Sequence, residues 1–199
     1  PGVFDIKYTT FYRDRFVIKH DYLVSGNDRG YSVVWDGGIM PTEKNITEEI
    51  TYTQGFIAQN KDIETVSFTP QDINSRAEKI SKPGKTDWVG IRNKYFINSL
   101  ISQGATGGKI DAGAKAISRE DGIFFPSFEM TLDFPSLDMV SVNQFFGPLD
   151  IDIIKESNTY LDRVMNFGWL PIQPFSRSVL WILKSLHFSG LNYGVILIL

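Results

Sequence analysis

Phe16-Val-Ile-Lys-His-Asp-Tyr-Leu-Val24, closed by Ser25-Gly-Asn-Asp-Arg-Gly30 and followed by Tyr31-Ser-Val-Val-Trp35 and Asp36-Gly-Gly38, decides the fold class. Two runs rich in β-branched and aromatic residues stand between clusters of turn formers. Such side chains suit a pleated, half-buried surface, and Gly, Asn, Asp and Ser interrupt it. Upstream, Phe4-Asp-Ile6-Lys-Tyr8 alternates apolar with polar, as a half-buried strand does. Downstream, residues 48–59 continue the strand theme through Ile50, Tyr52, Phe56 and Ile57, and residues 63–68 add another run. The polar stretch 69–86, with Pro70, Pro83 and Gly84, reads as a long connection holding a short helix near 71–78. Residues 88–100 read as one central strand, 104–113 as a Gly-rich turn or irregular edge, and 124–134 and 139–146 as two more strands, the second stopped by Gly147-Pro148. Many short strands, frequent turn signals and little helix predict an all-β sandwich or barrel.

Composition narrows the chemistry. The 199 residues suffice for one large domain with a buried core. Aromatics make up 14% of them, which fills sheet faces well, and charged residues 22%, too few for a largely disordered chain. A net charge of -3 lacks the basic footprint of a nucleic-acid binder. No cysteine is present, so disulfides, thiolate nucleophiles and Cys-ligated metals are excluded. With only His20 and His187, most hydrolase and metal-site chemistries lack their usual groups.

No motif reaches the standard of an active site, and no cofactor is implied. Gly104-Ala-Thr-Gly-Gly-Lys109 fails as a phosphate loop, because Gln103 stands where its first Gly belongs and Ile110 replaces the hydroxyl residue. His20 and Asp21 are strand neighbours and point to opposite faces, so they form no acid/base pair, and His20 is expected to face solvent. The carboxylate pairs Glu48-Glu49 and Asp150/Asp152 read as exposed surface, and Asn45-Ile-Thr47 as a chance glycosylation motif. Trp88, Tyr95 and Phe96 could stack a ligand, but packed core aromatics account for them better.

The pattern changes after Pro148. Residues 149–160 suit a short helix and 161–167 a returning strand. Pro171 and Pro174 then frame a helix start. From Phe175 a helical wheel puts Phe175, Val179, Ile182, Leu183 and Leu186 on one face, Arg177 and Lys184 opposite, and Trp181 on a flank. An apolar stripe, basic residues across from it and a marginal Trp fit a helix lying in a membrane interface, with Arg177 and Lys184 at the lipid headgroups. Ser189-Gly190 is a hinge before the apolar run Val195 to Leu199, which is too short to span hydrocarbon and reads as the beginning of a transmembrane helix. The expected parts are a β-sandwich over 1–170, an amphipathic interfacial helix over 171–189 and the start of a membrane span over 190–199.

Trp88-Val…Lys94-Tyr-Phe96, Gly147-Pro148, Phe167-Gly-Trp-Leu170, Gln173-Pro-Phe175, the Trp181 helix and Asn192-Tyr-Gly-Val-Ile196 form an ordered series. In that order they resemble the bacterial YidC membrane-protein insertases, over the second half of the large periplasmic domain and the passage into the second transmembrane helix. The resemblance implies a large twisted β-sandwich of the galactose-mutarotase type, a supersandwich, incomplete at its N-terminus and exposed on the periplasmic side of the bacterial inner membrane. It implies a non-enzymatic role assisting insertion of nascent membrane proteins, alone or with the Sec translocon and its accessory proteins, in contact with membrane lipid. The groove arginine of such insertases would lie beyond Leu199. The fold analogy also raises a sugar-active or carbohydrate-binding β-sandwich, which would need a general acid and base that the sequence does not supply.

Overall fold

The computed structural model describes residues 4–12, 15–25, 29–69, 79–118, 123–155, 157, 159–165, 178, 179, 181–183 and 185. The chain divides into two compact units, Pro1–Tyr160 and Leu161–Leu199. In the first, nine antiparallel strands form one continuous sheet. They are β1 (Phe4–Phe11), β2 (Val17–Ser25), β3 (Tyr31–Trp35), β4 (Gln54–Gln59), β5 (Asp62–Ser67), β6 (Lys79–Arg92), β7 (Phe96–Ser118), β8 (Ile123–Phe134) and β9 (Met139–Pro148). The main path runs β1-β2-β9-β7-β6-β4-β5, and β8 leaves β7 to pair with β3.

The branch lies on β7. Residues 96–101 pair with β9, whereas 107–118 pair with β8. On its other edge, β6 follows β7 along both halves, with register shifts between Pro83 and Trp88. An irregularity of this kind bends a strand, and strands that bend at a corner can serve two packed layers. The sheet does fold over itself. A Cβ built on Gly55 of β4 would lie 2.6 Å from Ile110 of β7 and 3.2 Å from Phe128 of β8, although β4 pairs with neither. One on Gly108 would meet Thr86, Val89 and Ile57 at 2.9 to 3.1 Å. Between the layers lies the core, with Ile57, Val89, Ile91 and Leu100 on one side and Ile110, Phe128, Met130 and Leu132 on the other. The all-β expectation is therefore met.

Several local readings change. Residues 46–52 are not strand but helix α1 (Ile46–Tyr52), begun by Asn45, whose side chain accepts the Glu48 amide. Of the long connection 69–86, residues 79–86 belong to β6, and the short helix expected at 71–78 lies outside the described residues. The single strand 88–100 is a hairpin, turned by Asn93, whose Oδ1 accepts from Tyr95 N at 3.0 Å and Phe96 N at 2.7 Å. Such an Asx turn is strong enough to reverse the chain inside an apolar run. The Gly-rich stretch 104–113 is strand, because glycine lets the two layers approach. Asn60 and Lys61, with φ of 51° and 68°, form a two-residue primed turn between β4 and β5. After β9 comes helix α2 (Ile151–Lys155), and the start of the expected strand 161–167 is instead a 3-10 turn, Leu161–Val164.

Candidate functional site

Along β9 the side chains of Met139, Ser141, Asn143 and Phe145 leave the sheet on the face away from the core residues Val140 and Val142. Pairing sets Asn143 opposite Ile101 of β7 and Lys19 of β2, and Ser141 opposite Asp21. Trp88 of β6 shares this face, because it pairs with Ile101. It is fully buried, donates its indole N–H to the Thr159 carbonyl at 3.0 Å, and sits 6.1 Å from the ring of Tyr160. Tyr160 in turn donates its hydroxyl to Asp87. Segment 149–160 is thereby tied over the outer face of the sheet. Asp150 caps α2 by accepting Asp152 N at 2.8 Å, and Ser157 donates to the Ile154 carbonyl at 2.7 Å.

Two clefts open between this segment and the strands. The larger, of about 470 Å³, is lined by apolar Ile101, Leu137 and Met139 and by the neutral polar side chains of Gln103, Asn143 and Thr159. The smaller, of about 380 Å³, lies toward Tyr12, Arg15, Phe16 and Phe145. Asn143 and Ser157 line both. Nearby charges are mostly self-compensating. Lys19 and Asp21 pair at 3.0 Å, and Ser141 donates to Asp21. The Ser141 hydroxyl, with Lys19, holds the Asp21 carboxyl below its ordinary value.

His20 is buried rather than facing solvent. The reason is its register: on β2 it stands between Thr9 of β1 and Val142 of β9, on the core face. Its Nε2 lies 3.2 Å from Gln144 Oε1, its Nδ1 3.2 Å from Thr9 Oγ1, and Gln144 Nε2 donates to Asn98 Oδ1 at 2.9 Å. The amide oxygen can only accept, so Nε2 carries the proton in this arrangement. Burial pushes the His20 pKa below its ordinary 6.5, and the Gln144 bond partly opposes this. Both ring nitrogens thus face neutral partners, which does not support the acid/base couple a sugar-active sandwich requires. Among the described residues Asn98 Nδ2 and Ser99 Oγ have no hydrogen-bond partner.

Glu49 is also buried, not exposed as its sequence neighbourhood suggested. Its carboxylate accepts Thr42 N at 2.8 Å, Glu43 N at 3.0 Å, Thr42 Oγ1 at 3.1 Å and Asn93 Nδ2 at 2.8 Å. It joins α1 to segment 39–45 and to the β6–β7 turn. Lys94 bridges Glu43 at 3.3 Å and Glu48 at 3.0 Å, and Tyr95 donates to Glu43. The Tyr95 hydroxyl lowers the Glu43 pKa. A sequence signal for this corner existed, since Asn45-Ile-Thr-Glu48 has the spacing of a capping box.

The remaining expected site residues fall as follows. Trp88 is buried beneath segment 149–160, Phe96 half-buried and Tyr95 exposed, so they make no platform. The stretch 104–109 is strand without a phosphate cradle. Residues 178, 179, 181–183 and 185 have helical backbone. Val179, Trp181 and Ile182 expose 37%, 70% and 48% of their surface, and Leu183 is half-buried. Phe175, Arg177, Lys184 and Leu186 lie outside the described residues. Among the described residues no helix is long and apolar enough to cross a membrane, and no group of three or more His, Asp or Glu could hold a metal ion. The two clefts and the Glu49 corner were not anticipated from sequence.

Comparison with known proteins agrees with the series of motifs. The family model described as the YidC periplasmic domain matches residues 2–182. A membrane protein insertase YidC of Chlorobium phaeovibrioides is 31% identical over 190 residues, covering 88% of this chain and 30% of that protein. The YidC of Chloroherpeton thalassium is 32% identical over 185 residues, with the same coverage, and that of Chlorobaculum tepidum 30% identical over 211 residues, covering 96% of this chain and 33% of that protein. The chain therefore spans about a third of the length of these relatives. With most of its length matched by that model, the chain belongs to the YidC periplasmic domain family.

Proposed function

We propose that this chain is the periplasmic body of a bacterial inner-membrane insertase, which assists nascent membrane proteins into the bilayer alone or with the Sec translocon and its accessory proteins. The observation that carries this reading is the match of the YidC periplasmic domain over residues 2–182, joined to relatives named as membrane protein insertases. The folded-over sheet supports a sandwich of the galactose-mutarotase type. In this reading the body has no catalytic role of its own and positions elements near the membrane. Residues 171–189 form an amphipathic helix lying in the outer leaflet, with Phe175, Val179, Trp181, Ile182, Leu183 and Leu186 toward lipid and Arg177 and Lys184 at the headgroups. Residues 190–199 enter the bilayer. The exposure of Val179, Trp181 and Ile182 supports this, because an apolar helix face left open to water favours an interfacial setting.

The test is complementation. The complete protein is produced in a bacterium depleted of its own insertase, and insertion of a short single-span reporter is followed by protease protection. Restored protection is the expected result. A stably produced, membrane-localised protein that restores none would overturn the reading.

A further inference from the structure

We infer that the outer edge of β1 pairs antiparallel with β1 of a second copy of this chain, giving a twofold dimer with one sheet running through both. Three observations converge. First, β1 ends the main path of the sheet, and among the described residues no strand pairs with its far side. It is eight residues long, contains no proline, and keeps unbroken register with β2 from Phe4–Ser25 to Phe11–Ile18. Native edges are commonly short, bulged or interrupted by proline, and an edge without these devices is a template for another strand.

Second, the strand is complementary to itself. A twofold axis perpendicular to the sheet joins like faces and is centred on one residue of each strand. Centred on Ile6, it sets Ile6 opposite the partner's Ile6 and Asp5 opposite the partner's Lys7, the latter pair occurring twice by symmetry. Asp5 and Lys7 are both exposed. Centred on Asp5 or on Lys7, like charges would face each other directly, which opposes pairing. Centred on Tyr8, Asp5 would meet Phe11 and Lys7 would meet Thr9, so neither charge finds its opposite. Charge therefore favours the register centred on Ile6.

Third, the same residue ends an apolar row. On the sheet face away from the core, Ile6 pairs with Leu23 and Leu23 with Met139. Leu23 and Met139 are 38% and 53% exposed, and Ile6 is half-buried. Joined at Ile6, the rows of the two copies become one apolar line across both sheets. Tyr8, on the same face, flanks that line and is 56% exposed. The junction thus gains apolar cross-strand contacts on one face and the Asp5–Lys7 pairs on the other. So short a contact makes a weak dimer. The inference does not rest on the function proposed above.

The chain has no cysteine, so single cysteines report the register. With a short thiol-to-thiol crosslinker, Ile6→Cys is expected to give a covalent dimer. Thr10→Cys, which this register sets about 27 Å from its copy along the strands, is expected to stay monomeric. Sedimentation equilibrium of the 199-residue chain is expected to show a concentration-dependent monomer–dimer equilibrium. Asp5→Lys and Lys7→Asp each set like charges opposite in both pairs and are expected to weaken it about tenfold, while the double variant restores it. The inference is overturned by a monomer at every concentration up to about 1 mM, by crosslinking at Thr10 as ready as at Ile6, or by a double variant that stays weakened. In membranes holding the complete protein, Ile6→Cys is expected to crosslink as well. Loss of the crosslink there assigns β1 to another segment of the longer protein and overturns the pairing of copies.

Discussion

Glu49 is a buried carboxylate held, among the described residues, by four neutral donors and no cation. Replacing it by Gln keeps the shape but turns an acceptor into a donor facing donors. A buried group left so mismatched costs about 2–4 kcal/mol. Glu49→Gln is expected to lower the urea midpoint accordingly at an unchanged slope, and a midpoint within error of the parent would show that the corner contributes little. His20 has the opposite sensitivity. Its folded-state pKa lies below 6.5, so the unfolded chain takes up the proton first as pH falls. The associated stability is full above about pH 6.5 and is lost as pH drops through that value toward the folded one. Lys7 deepens the shift and Asp21 opposes it. Chemical denaturation between about pH 7.5 and 5 is expected to show a stability decline that His20→Gln flattens; an equal slope in both proteins would remove His20 as its source.

At the scale of elements, β6 and β7 do most to set the architecture, since each serves both layers of the folded sheet. The closeness of the layers rests on glycine. Gly55→Ala would bring a methyl within 2.6 Å of Ile110 and is expected to cost about 1–3 kcal/mol by overpacking. Gly104→Ala, with nothing within 4 Å, is expected to be neutral or slightly stabilising. Thermal melts of the two variants check this contrast, and equal effects would mean that the layers yield easily. Segment 149–160 depends in a similar way on Trp88, whose indole holds Thr159 and lies tilted against the Tyr160 ring. In Trp88→Phe the lost hydrogen bond is expected to speed amide exchange of residues 151–155 while β9 stays protected. Unchanged exchange in that helix would show that other contacts hold it.

For the whole molecule, the proposed membrane contact rests on exposed apolar residues of the second unit. Trp181, Ile182 and Val179 are exposed, and proteins seldom leave such a helix face to water without a partner. The chain is expected to float with anionic lipid vesicles, and Ile182→Glu to reduce that binding at least tenfold, since it places a charge in the apolar face. Raising salt removes only the contribution of basic groups such as Arg177 and Lys184, at about 1 kcal/mol per charge, and leaves the apolar part. Co-flotation unaffected by Ile182→Glu would sink the interfacial helix.

The β class and most strand positions follow from local pattern, because period-two alternation and turn clusters are properties of neighbouring residues. Tyr31–Trp35 and the β8 and β9 regions were legible for that reason. The family was legible too, through motifs kept in order. Where local signals competed, reading failed. Asn93 reversed an apolar run that looked continuous, and glycines at 104, 107 and 108 looked like a turn, although Gly107 and Gly108 accommodate close packing within a strand. Which side of each strand meets the core was settled by packing in three dimensions. It buried His20 against Gln144, 124 positions away, and Glu49 against Asn93, 44 positions away. The two clefts arose the same way, from strands and segment 149–160 meeting. Burial and pairing depend on partners remote in the chain, and no local pattern specifies which partner a side chain will find.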